Sequence, residues 1–417
     1  MKSDDWAKVY GDLVQRLPAY VQDARLTLCG LSTFLDGYVL LHEAEPLLNA
    51  SEGTQQAALS RELSRRASVG IGGEFYMDWP EGGMWIEKNL QFSRWGLGGS
   101  GAQAAQMLAI LGAPALMSLE DRSERQLSVI HPNVLVATNR GVIKCGELST
   151  AQGRKPAHYI FEFTAGTQVG SIVPARSSRT IVRFTDERLD NDSEFTRESI
   201  TAAANAGAGI LSGFNEIGDQ DLEEALQQTV TLAQAWKRRG LEPIHLELGD
   251  YATVKARDTV LEKLRGAFTS LGMSHSELRA LCVGSQDPIS KAFELSETLN
   301  LSRLCVHADT WALAITKDDP RRELEALLCG CLLAAARAER GHPCRPTDVP
   351  ASAEFHDLPW EKFSKSGERF VVCCASPYLE RPVATIGLGD TFLAGTLLVI
   401  GRAESALAKY SALKTHI

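Results

Sequence analysis

The sequence predicts an α/β protein: a doubly wound, mainly parallel sheet with helices on both faces, joined to a small β-rich lid. Three observations carry this. From about residue 195 onward, helical patterns alternate with short apolar runs at the spacing of βαβ units. The segments 158–163 and 180–184 instead alternate polar and apolar residues, as half-exposed antiparallel strands do. A Gly- and Trp-rich stretch between 37 and 92 fits neither pattern and reads as cover for one side of a site. The implied division assigns 1–36, 93–154 and 186–417 to a large domain, and 37–92 with 155–185 to the lid.

The elements follow in order. Trp6, Val9, Tyr10, Leu13, Leu17 and Tyr20 recur at helical spacing, which predicts an amphipathic helix over 5–24. The apolar run Leu26–Leu31 predicts a buried strand ending in a turn. Periodic Leu and Ala mark 50–68, whereas 70–89 reads as hairpins and loops. Gly101–Leu111, small and apolar on most faces, predicts a helix packed on a sheet, and Val134–Ala137 a strand. A helix over 195–206 then leads to strand Gly209–Phe214 and a long helix over 221–239. Strand Ile244–Leu248, helix 252–271, strand Leu281–Val283 and helix 288–299 come next. Strand Arg303–His307 and helix 320–340 follow, then strands Phe370–Cys374 and Ala384–Ile386 and a last helix over 391–400.

Composition narrows the function. A net charge of -9 argues against a protein that binds nucleic acid by neutralising phosphates. The nine cysteines are scattered with no C-x-x-C zinc spacing, which predicts reduced thiols in a cytoplasmic protein. No basic-then-apolar leader opens the chain, and no apolar run reaches the ~20 residues that span a bilayer, so no membrane is expected.

The chemistry concentrates near the C-terminus. Gly387, Leu388 and Gly389 form a strand-to-helix turn, and Asp390 opens an apolar helix. Glycines at such a turn let backbone N–H groups converge, and the helix terminus adds partial positive charge, which together make an anion hole. A phosphoryl group crossing between two oxygens needs such a hole, and a carboxylate at its mouth can take the proton of an attacking hydroxyl. The residues alone leave open that Asp390 merely caps the helix.

The stretch TIGLGDTFLAGTLL resembles the G-x-G-D signature of the ribokinase-like kinases, whose Asp is the catalytic base. Further segments resemble one branch, the ADP-dependent glucokinases and phosphofructokinases: His245-Leu246-Glu247 for an H-x-E strand motif, and Val306–Thr316 for a His-led strand running into an ALAIT-like helix. HYIFEF at 158–163 and PARSSR at 174–179 are similar to that branch too. The resemblance implies transfer of the β-phosphoryl group of ADP to a glucose- or fructose 6-phosphate-class acceptor, with release of AMP and with Mg²⁺. It implies Asp390 as base, with Gly387 and Gly389 shaping the anion hole, and Gly387, Leu388, Gly389 and His307 on the nucleotide. Glu247 suits a magnesium shell, because Mg²⁺ takes one or two carboxylates and keeps waters. The superfamily's N-x-x-E stretch is matched at Gly284-Ser285-Gln286-Asp287, which assigns Asp287 to the metal despite the missing Asn.

For the acceptor, the resemblance implies Asp36 in Leu35-Asp36-Gly37, a carboxylate able to accept from two hydroxyls. It also implies Gly98, Gly99 and Ser100; Glu74 in Gly72-Gly73-Glu74, by its place in the lid, is expected to reach a sugar hydroxyl. Arg176, Arg179 and Arg183 form a basic cluster suited to gripping phosphate, of the nucleotide or of a sugar phosphate, with Arg179 set on the nucleotide and Arg176 on the acceptor. Gly96–Gly101 also matches G-x-G-x-x-G, which keeps a dinucleotide oxidoreductase open. An ATP-dependent kinase of another polyol or nucleoside stays open as well, as does a catalytically weak sugar- or nucleotide-binding regulator.

Overall fold

A computed structural model describes residues 3–402 except 154, 186 and 252; positions 403–417 of the expected large domain lie outside the described residues. The strands are β1 (Thr27–Cys29), β2 (Phe34–Leu40), β3 (Gly73–Tyr76), β4 (Arg94–Gly98), β5 (Ala115–Met117), β6 (Leu135–Thr138), β7 (Gly141–Lys144) and β8 (His158–Phe163). They continue with β9 (Ser178–Arg183), β10 (Ala208–Leu211), β11 (Ile244–Glu247), β12 (Ser270–Ser274), β13 (Arg303–His307), β14 (Trp311–Thr316), β15 (Phe363–Ser366) and β16 (Arg369–Ala375).

The large sheet has the order β15-β16-β14-β13-β12-β11-β10-β1-β5-β6-β7. From β13 through β6 neighbouring strands are parallel, and β14, β15, β16 and β7 add antiparallel edges. β1 and β10 are buried along their whole length, as strands covered by helices on both faces must be. One face carries the helices Ser3–Gln22, Ser100–Leu111, Pro320–Arg340 and Leu388–Ile400, which bury Tyr10, Leu13, Leu108, Leu327 and Leu397 against it. The other carries Asp219–Arg238, Val254–Lys263 and Pro288–Thr298, with Trp236, Leu261 and Leu295 in its core. Strand succession reverses at β1, which lies between β10 and β5, and ligands of open parallel sheets bind at the carboxyl ends beside such a reversal.

The second sheet has the order β3-β9-β8-β2-β4. It takes in Phe34–Leu40 and Arg94–Gly98, so the boundaries expected at 37 and 92 cut through it. Its outer face packs on the helices Gln55–Val69 and Gly82–Asn89 through Leu59, Leu63, Ile86, Tyr159, Phe161 and Phe184. Its inner face touches the large body, because Tyr38 and Ile160 pack against Ile386 just ahead of the glycine turn.

Several expectations are corrected. β8 is buried at five of its six positions rather than half-exposed, because both faces are covered. The stretch 70–89 holds a helix, Gly82–Asn89. The helix expected over 252–271 is shorter, Val254–Lys263, and the next strand is Ser270–Ser274 rather than Leu281–Val283. Trp311–Thr316 is a strand antiparallel to β13 rather than a helix. Ala384–Ile386 is irregular, and the last helix begins at Leu388. Among the described residues no helix is long and apolar enough to cross a membrane.

Candidate active site

Gly387 has a left-handed backbone (φ 68°) and precedes the Leu388–Ile400 helix, which no side chain caps. Asp390 lies in the first turn rather than at the cap position, so its carboxylate is left for other work. The Thr391 hydroxyl donates to the Gly387 carbonyl at 2.8 Å and fixes the turn. The Ser100–Leu111 helix likewise starts without a side-chain cap, from Gly99 at φ 90°. Its Ser100 side chain stands beside Asp390 and lowers that carboxyl's pKa, so two uncapped helix N-termini meet at one carboxylate. Burial nonetheless raises the Asp390 pKa above the ordinary carboxylate value, against Ser100 and the Arg337 and His307 charges, which lower it.

Asp36 stands in the middle of β2, opposite Gly96 of β4 and His158 of β8. It is buried, and desolvation pushes its carboxyl up to about 6, partly offset by His158 and reinforced by Asp390 and Glu74. A Cβ on Gly98 would lie 2.3 Å from Asp36 Oδ1, and one on Gly99 2.3 Å from the Ser32 carbonyl oxygen. The glycine pair is therefore what lets this backbone approach the carboxylate. Because β4 runs antiparallel to β2, Gly96–Gly101 does not open a parallel βαβ unit, and the dinucleotide reading falls.

Sequence alone does not mark His158 as a site residue. Its Nδ1 is 3.8 Å from Asp36 Oδ1 and its Nε2 3.5 Å from Glu187 Oε1, with the ring stacked on Phe34. The one signal is a histidine opening a strand that is apolar and aromatic apart from Glu162. Glu74 takes a 3.2 Å hydrogen bond from Asn215 and an Arg183 guanidinium at 3.5 Å. Arg179 is half-buried, its Nε has no partner among the described residues, and its charge acts on Asp390. Arg176 is exposed on a loop beside Gly70, outside this cluster.

Across the cleft, His245 Nε2 bonds Glu247 Oε2 at 2.9 Å, and its Nδ1 meets the Ser270 hydroxyl at 2.8 Å. His307 Nε2 lies 3.8 Å from Glu247 Oε1, and the His307 ring abuts Gly389. Burial alone would push the Glu247 carboxyl up, yet the two histidines outweigh it and hold it at about 2. Burial opposes a charged His307 as well, and the Glu247 carboxylate overrides it to raise that pKa. Between these groups and Phe392 there is room for about one water molecule.

Asp287 is not brought here. It is exposed and caps the Pro288–Thr298 helix, accepting from the Ser290 N–H at 2.9 Å. In its place stands Glu277, in Ser274-His275-Ser276-Glu277 at the end of β12, where burial and the nearby Glu247 charge raise its pKa. Placing the strand at 281–283 carries the expected motif ten residues too far along. Among the described residues no three His, Cys, Asp or Glu form a cage for a cation. Glu247 and Glu277, mutually repelling and near the turn, are a carboxylate pair that would fit Mg²⁺.

A family model described as the ADP-specific phosphofructokinase/glucokinase conserved region matches residues 51–399. An ADP-dependent glucose/glucosamine kinase of Pyrococcus furiosus is 23% identical over 72% of this chain and 75% of its own. An ADP-specific phosphofructokinase of Thermococcus litoralis is 26% identical over 76% of this chain and 79% of its own. Among solved structures, an ADP-dependent kinase in complex with fructose 6-phosphate and ADPβS superposes with a TM-score of 0.79 at 19% identity, covering 97% of this chain and 100% of that one. A hypothetical ADP-dependent phosphofructokinase from Pyrococcus horikoshii gives 0.75 at 20% identity, over 94% and 100%. The large and small sheets are thus those of the solved ADP-dependent kinases.

Proposed function

The chain belongs to the ADP-specific phosphofructokinase/glucokinase family, and from that premise we propose that it moves the β-phosphoryl group of ADP to a hydroxyl of a hexose-class sugar, with Asp390 as the base. The observation that carries this reading is the meeting of Ser100, Asp390 and Asp36 at two uncapped helix N-termini. Asp36 accepts from acceptor hydroxyls, and His158, braced by Glu187, holds Asp36 in place. Asp390 takes the proton as the hydroxyl oxygen attacks the β-phosphorus. The new O–P bond forms as the bond to the α–β bridging oxygen breaks, and AMP leaves. Backbone N–H groups of Gly387–Asp390 face the charge on the transferring oxygens. Glu247 and Glu277 are the residues that would hold Mg²⁺, which when bound neutralises phosphate charge.

The acceptor this pocket favours is a neutral sugar. Asp36 feels the negative charges of both Asp390 and Glu74, a setting that welcomes hydroxyls and repels a second phosphate. One observation favours a sugar phosphate instead: the Arg179 guanidinium, whose buried Nε is unpartnered among the described residues. Arg179→Ala separates the two. A rise of about ten-fold or more in KM for fructose 6-phosphate selects the sugar phosphate, whereas a rise confined to the KM for ADP leaves the neutral sugar. We also propose that the small sheet, together with residues 37–92 and 155–185, is a lid. Its docking through Tyr38, Ile160 and Ile386 supports that reading, because closure over the turn excludes water as a competing acceptor.

A further inference from the structure

Arg337 lies late in the Pro320–Arg340 helix, among apolar side chains, and is 5% exposed. Its Nη1 donates to Gln103 Oε1 at 2.6 Å and to Thr391 Oγ1 at 3.0 Å, so it bridges the two helices whose N-termini form the site. Thr391 in turn donates to the Gly387 carbonyl, and Nη2 lies 2.2 Å from where a Cβ on Gly387 would stand. The glycine turn is therefore seated on the guanidinium. Among the described residues no carboxylate comes within ion-pair distance of Arg337, and its buried Nε has no hydrogen-bond partner.

A buried cation at the N-termini of two helices, each already carrying partial positive charge, is an unfavourable arrangement without an anion. The opposite charges that act on it, Asp390 and Asp36, do so from a distance. Such an excess of positive potential fits an anion that arrives with the substrates. We propose that Arg337 is a positioning residue for the transfer: from beneath the Gly387 turn it braces the anion hole and offsets the negative charge gathering on the phosphoryl oxygens and Asp390. This rests on the kinase reading given above. Sequence offers no sign of it, because Arg337 and Arg340 in LLAAARAER read alike as helix surface residues.

Asp390 is faced by Ser100 from one helix, Arg337 from another, Glu247 from β11, His307 from β13, Asp36 from β2 and Arg179 from β9. Arg337 is a cation among these, so its removal destabilises the ionised base. The test is steady-state kinetics across pH on the full chain, with ADP, Mg²⁺ and the preferred sugar, for Arg337→Met, Arg337→Lys and Gln103→Leu. Arg337→Met is expected to lower kcat roughly 10²-fold, the scale of losing one stabilising group at an anion hole, and to move the acid limb of kcat to higher pH. Arg337→Lys keeps the charge, so its acid limb stays near wild type while kcat is intermediate. If Arg337→Met does not fold, Gln103→Leu decides: freeing the guanidinium lowers kcat several-fold at little change in either KM, and an unchanged kcat overturns the proposal. It is equally overturned if Met and Lys variants lose rate alike with no movement of the acid limb, the mark of a mere strut. Wild-type protein that transfers nothing from ADP refutes the kinase reading itself, a result seen before any variant is made.

Discussion

Gly98→Ala isolates the acceptor side of the site. Gly98 does not have a left-handed backbone, so alanine brings no backbone strain, only a methyl group. That methyl would lie 2.3 Å from Asp36 Oδ1, 2.8 Å from its Cγ and 3.0 Å from Oδ2, so the carboxylate must move by about 1 Å to reach ordinary contact. Asp36 sits on β2 between β4 and β8, with His158 behind it, so the movement turns the carboxylate away from the acceptor. Losing one charge-assisted hydrogen bond costs about 1.5–3 kcal/mol, which is a rise of roughly ten- to 150-fold in acceptor KM. Steady-state production of AMP at saturating ADP measures it, alongside a thermal melt. Acceptor KM within two-fold of wild type, or a change confined to the KM for ADP, would refute the placement of Asp36 on the sugar.

Asp390→Asn should cut kcat at least ~10²-fold while the KM for ADP stays near wild type; near-normal turnover would leave Asp390 without a role as base. Because burial raises its pKa and the base must be ionised, wild-type kcat should fall with decreasing pH at a value above the ordinary carboxylate pKa of about 3.9. Glu247 behaves oppositely. Its folded pKa of about 2 is below its ordinary 4.5, so its stabilising contribution is present above pH 4.5 and lost as pH falls towards 2. A Glu247→Gln melt series should lack this acid dependence. Small-angle scattering without and with ADP analogue plus sugar should show a smaller radius of gyration when both are bound; identical profiles would leave the small sheet as static cover.

The sequence is most informative where local chemistry and tertiary role coincide. The Gly387–Asp390 turn, strand Arg303–His307 and helix Pro320–Arg340 stand where the residue pattern puts them, because a turn, a buried apolar run and a long periodic segment each announce themselves locally. Trp311–Thr316 misleads because a six-residue apolar run reads equally as buried strand or helix, and only pairing with β13 and β16 decides. Ser270–Ser274 escapes notice because two serines and a glycine dilute its apolar signal. Gly272 is needed there, since a Cβ would lie 2.3 Å from Glu247 Oε2. Without that strand, the second acidic residue is read at Asp287 instead of Glu277. His158 and Arg337 are hidden for another reason. Their partners, Asp36 and Glu187 for one, Gln103 and Thr391 for the other, come from distant segments that meet only in the folded chain.

The central claim is that this chain moves a phosphoryl group from ADP to a sugar hydroxyl through Asp390. The most direct measurement follows AMP and sugar phosphate by phosphorus NMR, crossing ADP and ATP with glucose, glucosamine and fructose 6-phosphate at fixed Mg²⁺, for wild type and Asp390→Asn. Equimolar AMP and sugar phosphate from ADP with at least one of these acceptors, little product from ATP, and loss of both in the variant are expected. Product from ATP but not from ADP, or equal turnover by the variant, would contradict it.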